Sequence, residues 1–159
     1  MNNALIKICN GEYTNDDAIE KAIDYIYRLN TNHNLPTYCY GIFPPCYENI
    51  IKEFEYVRTM QNNVPDRKVW QLILSVPEKE ANQQYLILAD KIAKLFSNEY
   101  MVCYSFHYDT NHFHAHFVIS ATSYILNHTD LNKTMLYNYI FHAQTIAKAN
   151  GIILEITED

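Results

Sequence analysis

The sequence predicts an α+β fold, a central antiparallel β-sheet flanked by helices, in a single domain spanning residues 1–159. Three observations lead there. Segments with the two-residue alternation of strands and segments with the 3.6-residue repeat of helices succeed one another along the chain. Two β-rich runs, Tyr100 to His107 and His112 to Ala121, are separated only by the polar Tyr108-Asp109-Thr110-Asn111, so an adjacent antiparallel pair is the economical reading. Finally, a 159-residue chain that is 48% hydrophobic can bury a substantial core, and three glycines with five prolines leave no stretch resembling a linker or low-complexity tail.

Taken in order, Ala4 to Cys9 reads as a strand ended by the turn residues Asn10 and Gly11. Thr14 or Asn15 can cap a helix to about Arg28, because Ile19, Ala22, Ile23 and Ile26 share one face. Tyr38 to Phe43 is a strand stopped by Pro44-Pro45, and Tyr47 to Met60 a helix with Ile50, Ile51, Phe54 and Val57 as its buried stripe. Val69 to Val76 has the composition of a well-buried strand. A helix from about Asn82 to Ser97 follows, carrying Leu86, Leu88, Ala89, Ile92, Ala93 and Phe96. After the two β-rich runs come a helix from about Thr134 to Ala149, stopped at Asn150-Gly151, and a last strand over Ile152 to Ile156.

Composition narrows the class of function. No opening apolar run has a basic flank, and none reaches ~18 residues, so the expectation is a cytoplasmic protein with no membrane span. The four cysteines, Cys9, Cys39, Cys46 and Cys103, lack the C-x-x-C spacing of a zinc knuckle or redox pair and read as reduced core or structural residues. A net charge of −6 argues against strong duplex binding through phosphates, although a bound cation can supply positive charge locally.

Four of the seven histidines fall in the run from His107 to His116. On a strand, His112, His114 and His116 share one face, while Phe113, Ala115, Phe117 and Ile119 point into a core. Next-but-one residues are ~6.6 Å apart, so two imidazoles can lean onto one ion at ~2.0–2.1 Å, whereas three in a row span ~13 Å and cannot. His107 on the preceding strand can supply a third ligand. Geometry leaves open whether His112 or His116 is excluded. Asp109 is either a turn-former or a group that orients a ligand imidazole or accepts a proton. His33, His128 and His142 read as surface or satisfied residues.

The run HYDTNHFHAHFV, from His107 to Val118, resembles the metal motif of the MobA/VirD2-like mobilization relaxases, a branch of the histidine-hydrophobe-histidine (HUH) endonucleases. Weaker matches in the same order are GIFPPC ending at Cys46, Phe54, LSVPEKE around Ser75 and Glu80, and the helix before Asn150-Gly151. The resemblance implies His107, His114 and His116 as metal ligands and His112 as bystander. It implies manganese or magnesium as the ion, although imidazoles alone also suit zinc, nickel or copper. The first-helix segment Ala22-Ile23-Asp24-Tyr25-Ile26 resembles the one that carries the nucleophilic tyrosine, which points to Tyr25, with Tyr27 as rival. This chain departs in having Gln71 where relatives often have histidine and Ser120 where they often have asparagine, and in being shorter and less basic.

The implied reaction is attack of the tyrosine oxygen on a phosphodiester of single-stranded DNA at an origin of transfer. It gives a 5′-phosphotyrosyl link, and accessory mobilization proteins are the implied further partners. Competing readings are a metal-dependent hydrolase or oxygenase, a rolling-circle replication initiator, and a catalytically inactive DNA-binding accessory domain.

Overall fold

Ten elements follow one another in the computed structural model, which describes residues 2–27, 37–77, 83–107 and 112–159. They are β1 (Asn2–Ile8), α1 (Ala18–Tyr27), β2 (Thr37–Tyr40), α2 (Tyr47–Met60), β3 (Val69–Val76), α3 (Gln83–Ser97), β4 (Val102–His107), β5 (Phe113–Ser120), α4 (Lys133–Ala149) and β6 (Ile152–Glu158). The strands form one sheet in the order β2-β4-β5-β3-β1-β6. The pairs β2–β4, β4–β5, β3–β5 and β1–β3 are antiparallel, as expected for the centre of the sheet. The edge strand β6 runs parallel to β1, with Asn2 opposite Ile152 and Ile8 opposite Glu158. The fold is therefore α+β with a mixed sheet.

Alternation along the strands sorts residues between two cores. Leu72, Leu74 and Val76 of β3 lie with Phe113, Ala115, Phe117 and Ile119 of β5 on the face covered by α3 and α4. The opposite face carries Val118 and Cys103, which pack beneath α1 and α2 against Ile19, Ile23, Ile26, Ile50 and Phe54. Ile19, Ile23 and Ile26 are fully buried, and each such side chain contributes roughly 1.5–3 kcal/mol relative to exposure. That stripe fixes the rotation of α1 on the sheet, and so where its other residues point.

Several boundaries differ from expectation. The helix α1 begins at Ala18, after a turn in which the Ala18 N–H reaches the Asn15 carbonyl at 3.0 Å, and Arg28 lies outside the described residues. The strand β2 stops at Tyr40 because Gly41 takes φ +82°, a left-handed conformation that ends the ladder; Ile42 then turns inward and Phe43 outward. Tyr100 precedes β4, since its N–H still bonds the Phe96 carbonyl of the preceding helix at 2.9 Å. Asn132 caps α4 by accepting from the Met135 N–H at 2.9 Å. The cysteines are not uniformly core: Cys103 is buried, Cys9 and Cys39 are half-buried, and Cys46, just before α2, is exposed. Of the remaining histidines, His128 sits 3.1 Å from Glu99 and His142 is exposed, while His33 lies outside the described residues. No helix among the described residues is long and apolar enough to cross a membrane.

Candidate active site

Strand register brings the histidines together. The β4–β5 ladder sets His107 opposite His114 and Ser105 opposite His116. On the other side of β5, Ser75 of β3 pairs with His114 and Ile73 with His116. Because cross-strand partners share a face, His107, His114 and His116 stand with Ser105 and Ser75 on one surface of the sheet. The rings of His107 and His116 lie 4.0 Å apart between centroids, and those of His114 and His116 5.9 Å. His112 falls just before β5, exposed, with Nδ1 3.4 Å from the Pro77 carbonyl oxygen.

The histidine face was expected to look outward, but its inner half is roofed by α1. His107 is 0% exposed and His116 4%, whereas His114 remains half-buried. The C-terminal turn of α1 forms the roof. Ser105 donates from Oγ to the Ile26 carbonyl at 2.8 Å, and Nε2 of His107 lies 3.2 Å from the same oxygen. Strand side chains thus satisfy one of the four carbonyls that a helix end leaves without an internal partner.

Tyr25 sits on the same turn. Its ring stands edge-on to His116 and His107, with centroids 5.2 and 6.0 Å away, and the residue is 47% exposed. Tyr27 faces elsewhere. It packs edge-on against Tyr47 at 5.5 Å, its hydroxyl donates to the Pro45 carbonyl at 3.4 Å, and burial raises its pKa to about 12. Asp109 lies outside the described residues.

Three imidazoles on two paired strands are, by chemistry, a suitable donor set for a divalent ion. Among the described residues, however, no three His, Cys, Asp or Glu groups converge closely enough to hold one. The Nε2 atom of His107 is engaged with Ile26 and, at 3.3 Å, with the Ser105 hydroxyl. Protonated there, the ring keeps Nδ1 as its lone-pair nitrogen, and such a hydrogen bond on the second ring nitrogen is the usual support for a metal-binding histidine.

Two further residues adjoin Tyr25. Tyr13 and Gln71 line an open pocket of about 300 Å³ together with Tyr25 and residues of α1. The Tyr13 hydroxyl donates to Gln71 Oε1 at 2.8 Å, and the Arg67 guanidinium lies 5.4 Å from the centre of the Tyr13 ring. Tyr13 has no role in the sequence reading, because no local pattern links it to the histidine run.

Comparison with protein-family models gives a match to the MobA/VirD2-like relaxase nuclease domain over residues 14–152. The chain belongs to this family. No curated protein and no solved structure matches it significantly. Family membership supports a relaxase-type function, the nicking of DNA. The matched span of this relaxase domain runs from just before α1 to the first residue of β6, and so includes Tyr25, Asp109 and the three histidines. The strand β1 lies outside it.

Proposed function

We propose that this chain nicks single-stranded DNA at an origin of transfer through a 5′-phosphotyrosyl intermediate, with Tyr25 as the nucleophile. The observation that carries the reading is the Tyr25 ring set edge-on against His116 and His107, in a chain of the relaxase family. The Tyr25 hydroxyl gives up its proton as its oxygen bonds to phosphorus. The bond from phosphorus to the 3′ oxygen breaks, and that oxygen leaves to be protonated. The products are a 5′-linked strand and a free 3′-hydroxyl, and rejoining follows the same path in reverse.

An ordinary tyrosine, with a pKa of ~10, is a poor nucleophile at neutral pH, and the phosphate repels an anion, so positioning and local charge carry most of the catalysis. His107, His114 and His116 would hold a divalent cation, Mn²⁺ or Mg²⁺ by the family resemblance. When bound, it supplies positive charge to a phosphate oxygen and polarises the phosphorus. His107 also anchors the helix turn that carries Tyr25, through the Ile26 carbonyl. Asp109 orients a ligand imidazole or takes the tyrosine proton. The setting is the cytoplasm, with accessory mobilization proteins as partners in delivering the origin.

The test is incubation with single-stranded oligonucleotides and Mn²⁺, followed by a denaturing gel. A protein–DNA adduct present in the wild type and absent in Tyr25→Phe is expected. A binding-only accessory domain would instead retain the strand and give no adduct from any oligonucleotide.

A further inference from the structure

The pocket beside Tyr25 lies on the histidine face of the sheet, one strand along. Gln71 is in register with Val118 of β5, two positions beyond the Ile73–His116 pair, and alternation places Gln71, His116 and His114 on the same surface. Across from Gln71, the residues Ala18, Ala22 and Tyr25 form one stripe of α1 at helical spacing, and the two alanines leave room and an apolar wall. Its volume of about 300 Å³ reaches the range of small-molecule sites. Tyr25 both lines the pocket and stands with its ring 5.2 Å from that of His116, so the pocket adjoins the histidines.

The polar groups of the pocket are prearranged. Tyr13 adopts φ +50°, which is uncommon for a bulky residue, and a strained backbone of this kind is kept only where its surroundings hold it. A side chain at Gly11 would come within 2.9 Å of the Tyr13 ring, the Lys68 N–H bonds the Tyr13 carbonyl at 2.9 Å, and Arg67 faces the ring. What this arrangement secures is the Tyr13 hydroxyl on Gln71 Oε1 at 2.8 Å. Burial raises the Tyr13 pKa to about 12, so the hydroxyl remains a donor at neutral pH. With the Tyr13 hydroxyl donating to Oε1, the Nε2 group of Gln71 is the end of the amide that can donate to a ligand.

We propose that this pocket receives the nucleobase next to the scissile phosphate and that Gln71, oriented by Tyr13, donates to a carbonyl oxygen of that base. The inference rests on the strand-nicking reading given above. Guanine, thymine and cytosine carry such an oxygen, whereas adenine offers the amide only ring nitrogens at other positions, so a donor aimed at the carbonyl oxygen favours the oxo bases over adenine. Discrimination of this kind is strongest where a site built to hydrogen-bond a group meets an analogue lacking it. The lysine on the same helix, Lys21, is paired with Asp17 at 3.0 Å and adds little net charge.

The test uses a pool of single-stranded oligonucleotides of random sequence with Mn²⁺. Covalently attached strands and released partners are sequenced for the wild type, Gln71→Glu, Gln71→Met and Tyr13→Phe. The wild type should show adenine depleted at one position within two nucleotides of the nick. Gln71→Met, similar in volume but without donors, should reduce that bias about fivefold, the worth of one hydrogen bond. Gln71→Glu should do the same or reverse it. Tyr13→Phe, which frees the amide to flip, should admit adenine. Unchanged bias in both Gln71 variants, or an unbiased wild-type adduct, overturns the base-reading role and leaves strand nicking intact. No adduct with any strand overturns both.

Discussion

Nε2 of His107 lies 3.2 Å from the carbonyl oxygen of Ile26, and Ser105 donates to that same oxygen at 2.8 Å. Two side chains of β4 therefore hold the helix turn that carries Tyr25, and either one alone still satisfies the carbonyl. Ser105→Ala should cost about 1 kcal/mol by urea unfolding. His107→Ala should cost more, because it also empties a fully buried site. The double variant should lose more than the sum of the two, since only it strands the Ile26 carbonyl. Strict additivity in this double-mutant cycle would show that the two contacts act separately.

The two first-helix tyrosines are predicted to separate cleanly. Tyr25→Phe should abolish the DNA adduct and leave Mn²⁺ affinity unchanged in calorimetry, because it removes only a hydroxyl. Tyr27→Phe should keep the adduct and cost at most about 1 kcal/mol of stability, as its hydroxyl makes one long hydrogen bond to Pro45. The reverse pattern would assign the chemistry to Tyr27.

Much of this arrangement is legible in the sequence because strand alternation is a local signal. The boundaries of β3 follow from Val69 to Val76 alone, and the sorting of Phe113, Ala115 and Phe117 from His114 and His116 follows from the period of two. What covers the histidine face is not a local signal. The burial of His107 and His116 depends on where Ile19, Ile23 and Ile26 seat α1, a contact between segments about 80 residues apart, as the Ile26–His107 separation of 81 shows. The parallel pairing of β6 with β1 joins the two ends of the chain and likewise leaves no periodic trace. The same holds for Tyr13 and Gln71, which are 58 residues apart. The four cysteines, read as reduced core or structural residues, are all free thiols; only Cys103 is fully buried, and the turn before α2 leaves Cys46 exposed.

Acid sensitivity should have a component at Glu99. The Tyr139 hydroxyl donates to its Oε2 at 2.6 Å, and with His128 nearby this holds the carboxyl below its usual pKa. A carboxyl whose folded pKa is depressed contributes stability that is fully present above the unfolded value and is lost as pH falls through the folded one. Stability should thus decline as pH drops below about 4.5, and Tyr139→Phe should flatten that part of the curve. Parallel wild-type and Tyr139→Phe profiles between about pH 6 and pH 3 would remove Glu99 as a source.

At the end of α4, Gly151 takes φ +77° while its N–H bonds the Lys148 carbonyl at 3.0 Å and its own carbonyl accepts from Asn2 at 3.2 Å. A Cβ there would meet only Gln84 Nε2, at 3.7 Å, so space is not the constraint. The cost of Gly151→Ala should be the left-handed backbone alone, about 1–2 kcal/mol, and Gly151→Asn should cost less because Asn tolerates this region. Equal losses for the two, measured by thermal or urea unfolding, would point to packing instead.

Metal binding is expected to follow the sheet rather than the sequence run. His107, His114 and His116 are linked by strand register, whereas His112 stands before β5, exposed and turned toward Pro77. In Mn²⁺ calorimetry, His112→Ala should therefore bind as the wild type does. Replacing any two of the other three by Ala should abolish tight binding, because the remaining imidazole cannot offset the loss of two ligands. His114 is the informative single change. It is half-buried and has the least to do with holding α1, so His114→Ala should weaken Mn²⁺ at least tenfold, in the range seen when supports of a metal site are removed. It should do so with little loss of stability in urea. If His112→Ala weakened the ion and His116→Ala did not, the ligand set would be His107, His112 and His114, and the resemblance would have misled at that one position.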